Sequence, residues 1–243
     1  MIAVKDKNIP TEFEKLYFTL REKEGRMYSD EELLHLPDIG KGHIYFEEWE
    51  IRKESCFRLL HYLENKRPVL KIWEPCCGNG WLSARLAGLP GSKVIATDII
   101  TVELEQAKKV FNHIQNLTFE YGNISDDKNN NSTKDVIILA SCIQYFQDPE
   151  TIINSLFKKL NRGGEIHILD SPFYKPDEIN IARQRSVNHF YSMGIPEMKK
   201  YYFHHALDVL STFQYTILYQ PSFFQRLKNH KSPFSWIRIK KDK

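Results

Sequence analysis

The 243-residue chain is 42% hydrophobic and 27% charged with a formal net charge of +3, the make-up of an ordinary soluble protein long enough to bury a substantial core and without electrostatic pull toward a polyanion. No stretch reaches the roughly 20 consecutive apolar residues that cross a bilayer, and residues 1–19 carry acids and polar groups where an export signal needs an apolar core, so a cytoplasmic protein without membrane contact is expected. Cys56, Cys76, Cys77 and Cys142 have the spacing of neither a disulfide framework nor a metal site, and no metal is expected.

In chain order, residues 1–45 are polar and mixed, the first part of an N-terminal stretch over 1–67. Phe13, Leu16, Tyr17 and Leu20 fall at helical spacing before Pro37, Gly40 and Gly42 break the pattern. Trp49, Cys56, Leu59, Leu60 and Leu63 then mark an amphipathic helix over 46–63, which Pro68 separates from the first strand. This predicts an N-terminal helical extension that lies on a sheet edge or lids a cleft. A strand at 69–73 passes through the turn Gly78-Asn79-Gly80 into a helix that Gly88, Pro90 and Gly91 stop. A second strand at 94–97 ends at Asp98, a helix covers 102–114, and a third strand covers 117–121. The Asn- and Asp-rich stretch 126–133 reads as a solvated loop, and 136–140 as an apolar strand of the kind buried on both faces of a parallel sheet. A helix at 151–160, an exit turn at 161–164 and a fifth strand at 165–169 complete a core over 68–170. Strands alternating with helices predict an α/β fold with a doubly wound, mostly parallel sheet. The rhythm then changes to a mostly helical, aromatic-rich cap over 171–213. Within 214–243, the segments 215–219 and 236–240 read as closing antiparallel strands, so that 1–243 forms a single domain.

In an open α/β sheet the ligand sits beyond the carboxyl ends of the strands, near the point where strand order reverses. The candidates are therefore Glu74 to Gly80, Asp98, Gly122, Asn123, Ser141, Cys142 and Asp170. Gly78 and Gly80 permit a tight turn and close approach of a ligand to the backbone, and the helix that starts near Gly80 offers unpaired N–H groups to an anionic ligand group. Asp98, 18 residues past Gly80, is placed to accept both hydroxyls of a ribose. Together these parts describe an adenosine-containing cofactor.

Over roughly 68–170 the sequence resembles the class I S-adenosylmethionine-dependent methyltransferases. Their first motif, an acid followed by three alternating glycines, reads here Glu74-Pro75-Cys76-Cys77-Gly78-Asn79-Gly80, with Cys76 in place of the first glycine. By the resemblance, Asp98 is the ribose acid, Ile99 lies by the adenine face, and Gly122-Asn123-Ile124 is the adenine segment with Asn123 for the commoner Asp. The segments 135–145 and 160–165 resemble the fourth-strand motif and the turn into strand five. The resemblance implies S-adenosylmethionine as cofactor and a Rossmann-like sheet of seven strands with strands six and seven antiparallel. It also implies cofactor contacts from Glu74, Cys76, Gly78, Asn79, Gly80, Asp98, Ile99, Asn123, Ile124 and Ser141.

On the acceptor side, Asp170 follows strand five and is the first candidate for a base, against the alternative of a turn acceptor for nearby N–H groups. Tyr145 is placed near the sulfonium by the resemblance, or packs under a helix. His204 and His205 are able to shuttle a proton near neutral pH, or cap a helix. Tyr28, His43 and Trp49 could line a lid, and Arg183 and Arg185 could meet an acidic substrate or form a solvated helix face. The aromatic cap suits a small, partly apolar organic acceptor, with O-methylation placed ahead of N- or C-methylation and a monomer or homodimer expected. Ser141-Cys142-Ile143-Gln144 stands where some relatives carry Asn-Pro-Pro-Tyr, which argues against nucleic acid as partner. The alternatives are a regulatory protein that binds the cofactor with a weakened site, motivated by Pro75 and Cys76, a nucleic-acid methyltransferase, and a nicotinamide dehydrogenase, for which Ser83 stands where a glycine is needed.

Overall fold

The computed structural model describes residues 11–66, 69–124, 133–221 and 232–241. Apolar runs set its centre: in β1 (Lys71–Pro75) and β4 (Lys134–Ala140) side chains alternate between two buried faces, so neither strand needs a polar side. Ile72, Val136 and Ile138 pack toward α3 (Phe46–Glu64) and α4 (Trp81–Ala87), together with Leu59, Leu63, Leu82 and Leu86. Trp73, Ile137 and Leu139 point to the opposite face, where Ile153 and Leu156 of α6 (Pro149–Lys158) meet them. Each of these fully buried aliphatic side chains contributes on the order of 1.5–3 kcal/mol.

The remaining elements are β2 (Lys93–Asp98), α5 (Thr101–Val110), β3 (Leu117–Tyr121), β5 (Leu160–Leu169), β8 (Tyr215–Tyr219) and β9 (Trp236–Lys240), with a separate two-stranded pair of β6 (Phe173–Tyr174) and β7 (His205–Ala206). The seven-stranded sheet has the order β3-β2-β1-β4-β5-β9-β8. The pairs from β3 through to β5 are parallel, and β9 is antiparallel to both β5 and β8. The expected mostly parallel sheet is therefore present. The last strand enters between β5 and β8, so it alone runs against the others and β8 lies at the edge.

The boundary between helix and strand five differs from expectation. β5 begins at Leu160 because Lys134 already pairs with Leu160, and an irregularity before Val136 absorbs the Asn161–Gly164 stretch into the strand. The cap is less helical than its composition suggests: it holds α7 (Ile179–Ser192), two 3-10 turns and the β6–β7 pair. Within the stretch 126–133 read as a loop, only Thr133 lies among the described residues.

The N-terminal helices roof the carboxyl ends of the strands. A capping box between Thr11 and Glu14 starts α1 (Glu12–Lys23), and a second between Ser29 and Glu32 starts α2 (Asp30–His35). Leu20 packs with Phe190, Ile195 and Met198 of the cap, with Phe13, Tyr17, Tyr145 and Tyr202 around them. On the other flank, Glu165 accepts from Lys66 at 2.6 Å and from Tyr62 at 3.1 Å. The buried Trp236 Nε1–H donates to His167 Nδ1 at 3.1 Å. An indole nitrogen can only donate, so His167 is the neutral tautomer that donates from Nε2 to Glu165 at 3.2 Å.

Gly80, with φ +75°, ends the first turn, and a Cβ there would collide with the Phe119 ring of β3. Gly80→Ala is expected to lower unfolding free energy by about 2–4 kcal/mol through left-handed strain and overpacking; urea denaturation measures it.

Candidate active site

Sheet order reverses between β1 and β4, and there the backbone departs from ordinary conformations. Among the described residues, three that are not glycine have positive φ: Cys76 (60°), Ser141 (52°) and Asp170 (48°). They follow the carboxyl ends of β1, β4 and β5, three adjacent strands. A left-handed non-glycine residue costs of order 1–3 kcal/mol and persists where its surroundings over-determine it. Here they do: Ser141 N–H donates to Leu169 O at 2.9 Å, Ser141 Oγ donates to Asp170 O at 3.1 Å, and Ser55 Oγ donates to Asp170 Oδ1 at 2.7 Å.

The turn after β1 is held by Asp98. Gly78 N–H donates to its Oδ2 at 2.7 Å and Ile100 N–H to its Oδ1 at 2.8 Å, while Cys77 N–H donates to Thr97 O at 3.1 Å. Burial raises the Asp98 pKa against these backbone donors. Glu74 is buried and accepts a short hydrogen bond from Ser83 Oγ of α4; burial pushes its pKa up to about 8. Ser83, which stood against the nicotinamide reading, is thus the partner of the first-motif acid. Asn79 Oδ1 accepts from Trp81 N–H at 3.4 Å and helps start α4. Cys76 meets Cys142 through a thiol hydrogen bond, and that contact together with burial raises its pKa.

Asp98, Ile99, Ile100, Gly122, Asn123 and Ile124 line a cavity of about 300 Å³ that Cys76, Gly78 and Ser141 close on the strand side and Tyr17, Tyr145 and Phe146 on the other. A narrower cleft continues past Glu74, Cys76, Gly78 and Asn79 to Tyr28, Trp49 and Arg21. Sequence reasoning missed one residue here. Glu103, in the first turn of α5, reads as an ordinary N-terminal helix acid. In the structure its carboxyl is buried with Oε2 unpartnered, 3.2 Å from where a Cβ on Gly78 would sit. Burial pushes its pKa up to about 7 against the charge of Arg21.

A larger cavity of about 590 Å³ adjoins this cleft at Ser141, lined from α1, α3, α7 and the loops after β4 and β5. Asp170 and Tyr145 line it; burial raises both pKa values. Tyr145 is ringed by Phe13, Tyr17 and Tyr202 at 5.6–5.8 Å. His204 and His205 do not line it. His204 Nε2 meets Ser186 Oγ at 2.9 Å behind the rings of Tyr174 and Tyr202, and His205 Nε2 meets Phe146 O at 2.9 Å. Burial lowers both pKa values, and both side chains pack within the cap. Of the proposed lid residues, Trp49 Nε1–H donates to Tyr28 O–H at 2.8 Å and both line the cleft, whereas His43 stacks on Tyr28 at 5.8 Å. The arginine cluster of the lid gave no periodic signal. Glu48 accepts from Arg26 at 2.6 and 2.8 Å and from Arg52 at 3.0 Å, which brings its pKa down to about 2.

The donor set fits an adenosyl cofactor: a ribose-sized acid on backbone amides, glycines where a side chain would intrude, and apolar walls beyond. Among the described residues no cluster of His, Cys, Asp and Glu is arranged to hold a metal ion, and no helix is long and apolar enough to cross a membrane.

Comparison with known proteins agrees with this geometry. The profile of the methyltransferase domain family matches residues 67–205. The YcgJ protein of Bacillus subtilis superposes with a TM-score of 0.60 at 12% identity, over 78% of this chain and 99% of its own. The CurJ carbon methyltransferase gives 0.63 at 15%, over 95% of this chain and 68% of its own. A geranyl diphosphate methyltransferase solved with S-adenosylmethionine gives 0.57 at 13%, over 84% and 92%. Among curated proteins none matches the chain.

The raised carboxyl at Glu103 has a signed consequence. With a folded pKa of about 7 against 4.5 when free, the folded state retains a proton that the unfolded chain releases, so its contribution to stability is present below pH 4.5 and lost as pH rises through 7. Glu103→Gln is expected to gain stability relative to wild type from pH 5 to 7 in urea unfolding and to level off above that; a difference that does not change with pH contradicts this.

Proposed function

The chain belongs to the methyltransferase domain family, and from that premise we propose that it transfers a methyl group from S-adenosylmethionine to the hydroxyl of a small, partly apolar organic acceptor. The observation that carries the cofactor half is Asp98, fixed through both oxygens on backbone amides at the mouth of the glycine turn. S-adenosylmethionine, when bound, supplies an electrophilic methyl group. The chain's own residues then have four tasks. Asp98 keeps lone pairs free for ribose hydroxyls, and Gly78 and Gly80 let backbone approach the cofactor. Tyr17, Tyr145 and Phe13 form an aromatic wall that excludes water and suits a cation. Asp170 holds the acceptor's proton: Ser55 occupies Oδ1, no donor among the described residues occupies Oδ2, and a raised pKa suits a carboxyl that takes up a proton. Small-molecule chemistry is supported by the size of the cavity and by the small substrate named for the geranyl diphosphate methyltransferase among its structural neighbours.

Calorimetric titration with S-adenosylhomocysteine tests the cofactor half. Micromolar binding is expected, and Asp98→Ala is expected to weaken it at least tenfold, since the turn loses its anchor along with the ribose contact. A wild-type chain that does not bind would sink the reading.

Cys76 bears on the competing reading of a weakened, regulatory binder. Its backbone already has the left-handed conformation a glycine would adopt, and its thiol meets Cys142. Cys76→Gly is therefore expected to change S-adenosylhomocysteine affinity less than threefold; a gain of tenfold or more would favour the regulatory reading.

A further inference from the structure

We infer that the acceptor carries a carboxylate, anchored on Arg185 of α7, with a hydroxyl directed to Gln144; this rests on the methyltransferase reading above. The residues of α7 that line the large cavity are Ala182, Arg185, Ser186, His189 and Phe190, spaced three and four apart along one face of the helix. Arg185 therefore borders the cavity at its solvent-exposed mouth, whereas Arg183 does not line it, and the sequence alone could not separate the two.

The charge balance of the cavity points to an anion. Of the charged residues lining the cavity, Arg21, Arg26 and Arg52 stand against Glu24, Glu48 and Asp170, Arg21 also meets Glu103 of the adjoining cleft, and His189 meets Glu24 at 2.8 Å. Glu48 is shared by Arg26 and Arg52, and Glu24 by Arg21 at 3.5 Å and Arg26 at 3.2 Å. Arg185 has neither a carboxylate nor a hydrogen-bond partner among the described residues. The guanidinium left without a partner is that of Arg185, and a guanidinium is the group that meets a carboxylate through two parallel hydrogen bonds.

Gln144 fixes the other end. Its Nε2 donates to Ser141 O at 2.6 Å, which settles the orientation of the amide. Its Oε1 is then buried without a donor, in a residue 8% exposed. A buried acceptor left unmatched is costly, and a hydroxyl of the bound molecule would satisfy it. Ser141 ties this amide to Asp170, whose backbone oxygen it bonds, and it borders the cofactor cleft. The cavity therefore has a cationic end at Arg185 and a hydroxyl-accepting end beside the cofactor cleft, with Tyr174, Phe190 and Tyr202 between them.

The test uses the full chain saturated with S-adenosylhomocysteine and, as probes, 4-hydroxybenzoate and 4-hydroxycinnamate against their uncharged amides, by calorimetry. The acids are expected to bind at least tenfold more tightly than the amides. Arg185→Gln should erase that preference and Arg185→Lys restore part of it, with S-adenosylhomocysteine affinity unchanged in both. Equal binding of acids and amides, binding of neither, or an acid preference that survives Arg185→Gln would overturn the inference. Failure of S-adenosylhomocysteine itself to bind would instead overturn the cofactor reading.

Discussion

Everything in the site hangs on one carboxylate and the two amides it holds. Asp98 closes the end of β2 onto the turn that follows β1, through Gly78 N–H, and onto the entry of its own crossover helix, through Ile100 N–H. A buried charge is tolerable only when it is hydrogen-bonded, and a loop with this many left-handed residues keeps its shape only when something fixes its amides. Each requirement meets the other. The position of the glycine turn, the start of α4 and the burial of Glu103 beside Gly78 all follow from that clasp.

The roof over the strand ends is held by a different principle. Its apolar part is a cluster of aromatic rings from α1 and the cap around Tyr145. Its polar part is a chain of arginines and glutamates in which carboxylates are shared, Glu48 between Arg26 and Arg52 and Glu24 between Arg21 and Arg26. Shared carboxylates leave cationic capacity over, and these arginines line the cavity. The N-terminal segment is thus part of the pocket's electrostatics as well as its cover.

The core was readable from the sequence because apolar runs and turn residues act locally. The strands at 117–121, 215–219 and 236–240 were placed to the residue, and the acid, glycine turn and distal Asp98 were found by spacing. What escaped was whatever depends on three-dimensional neighbours. Glu103 carries no sequence signal beyond that of a helix N-terminal acid, and only the fold sets it against Gly78. Arg21, Arg26 and Arg52 form no pattern that marks a cluster, and the Tyr174 ring beside His204 and the Phe146 oxygen beside His205 come from distant segments. Strand five began earlier than its glycines suggested because pairing with Lys134 outweighed local turn preference.

The insertion of β9 between β5 and β8 also bears on how the protein is made. As the chain leaves the ribosome, the five strands that build the cofactor side are complete long before residue 236, yet β5 then presents an open edge and β8 has no place to dock. The last strand must enter between them, pairing with β5 from Glu165 to Ile168 and with β8 on its other side. Until it does, the growing polypeptide carries an unpaired hydrophobic edge, the kind of surface that chaperones shield. Loss of β9 would remove two strands from the sheet at once, since β8 pairs with β9 alone among the described strands.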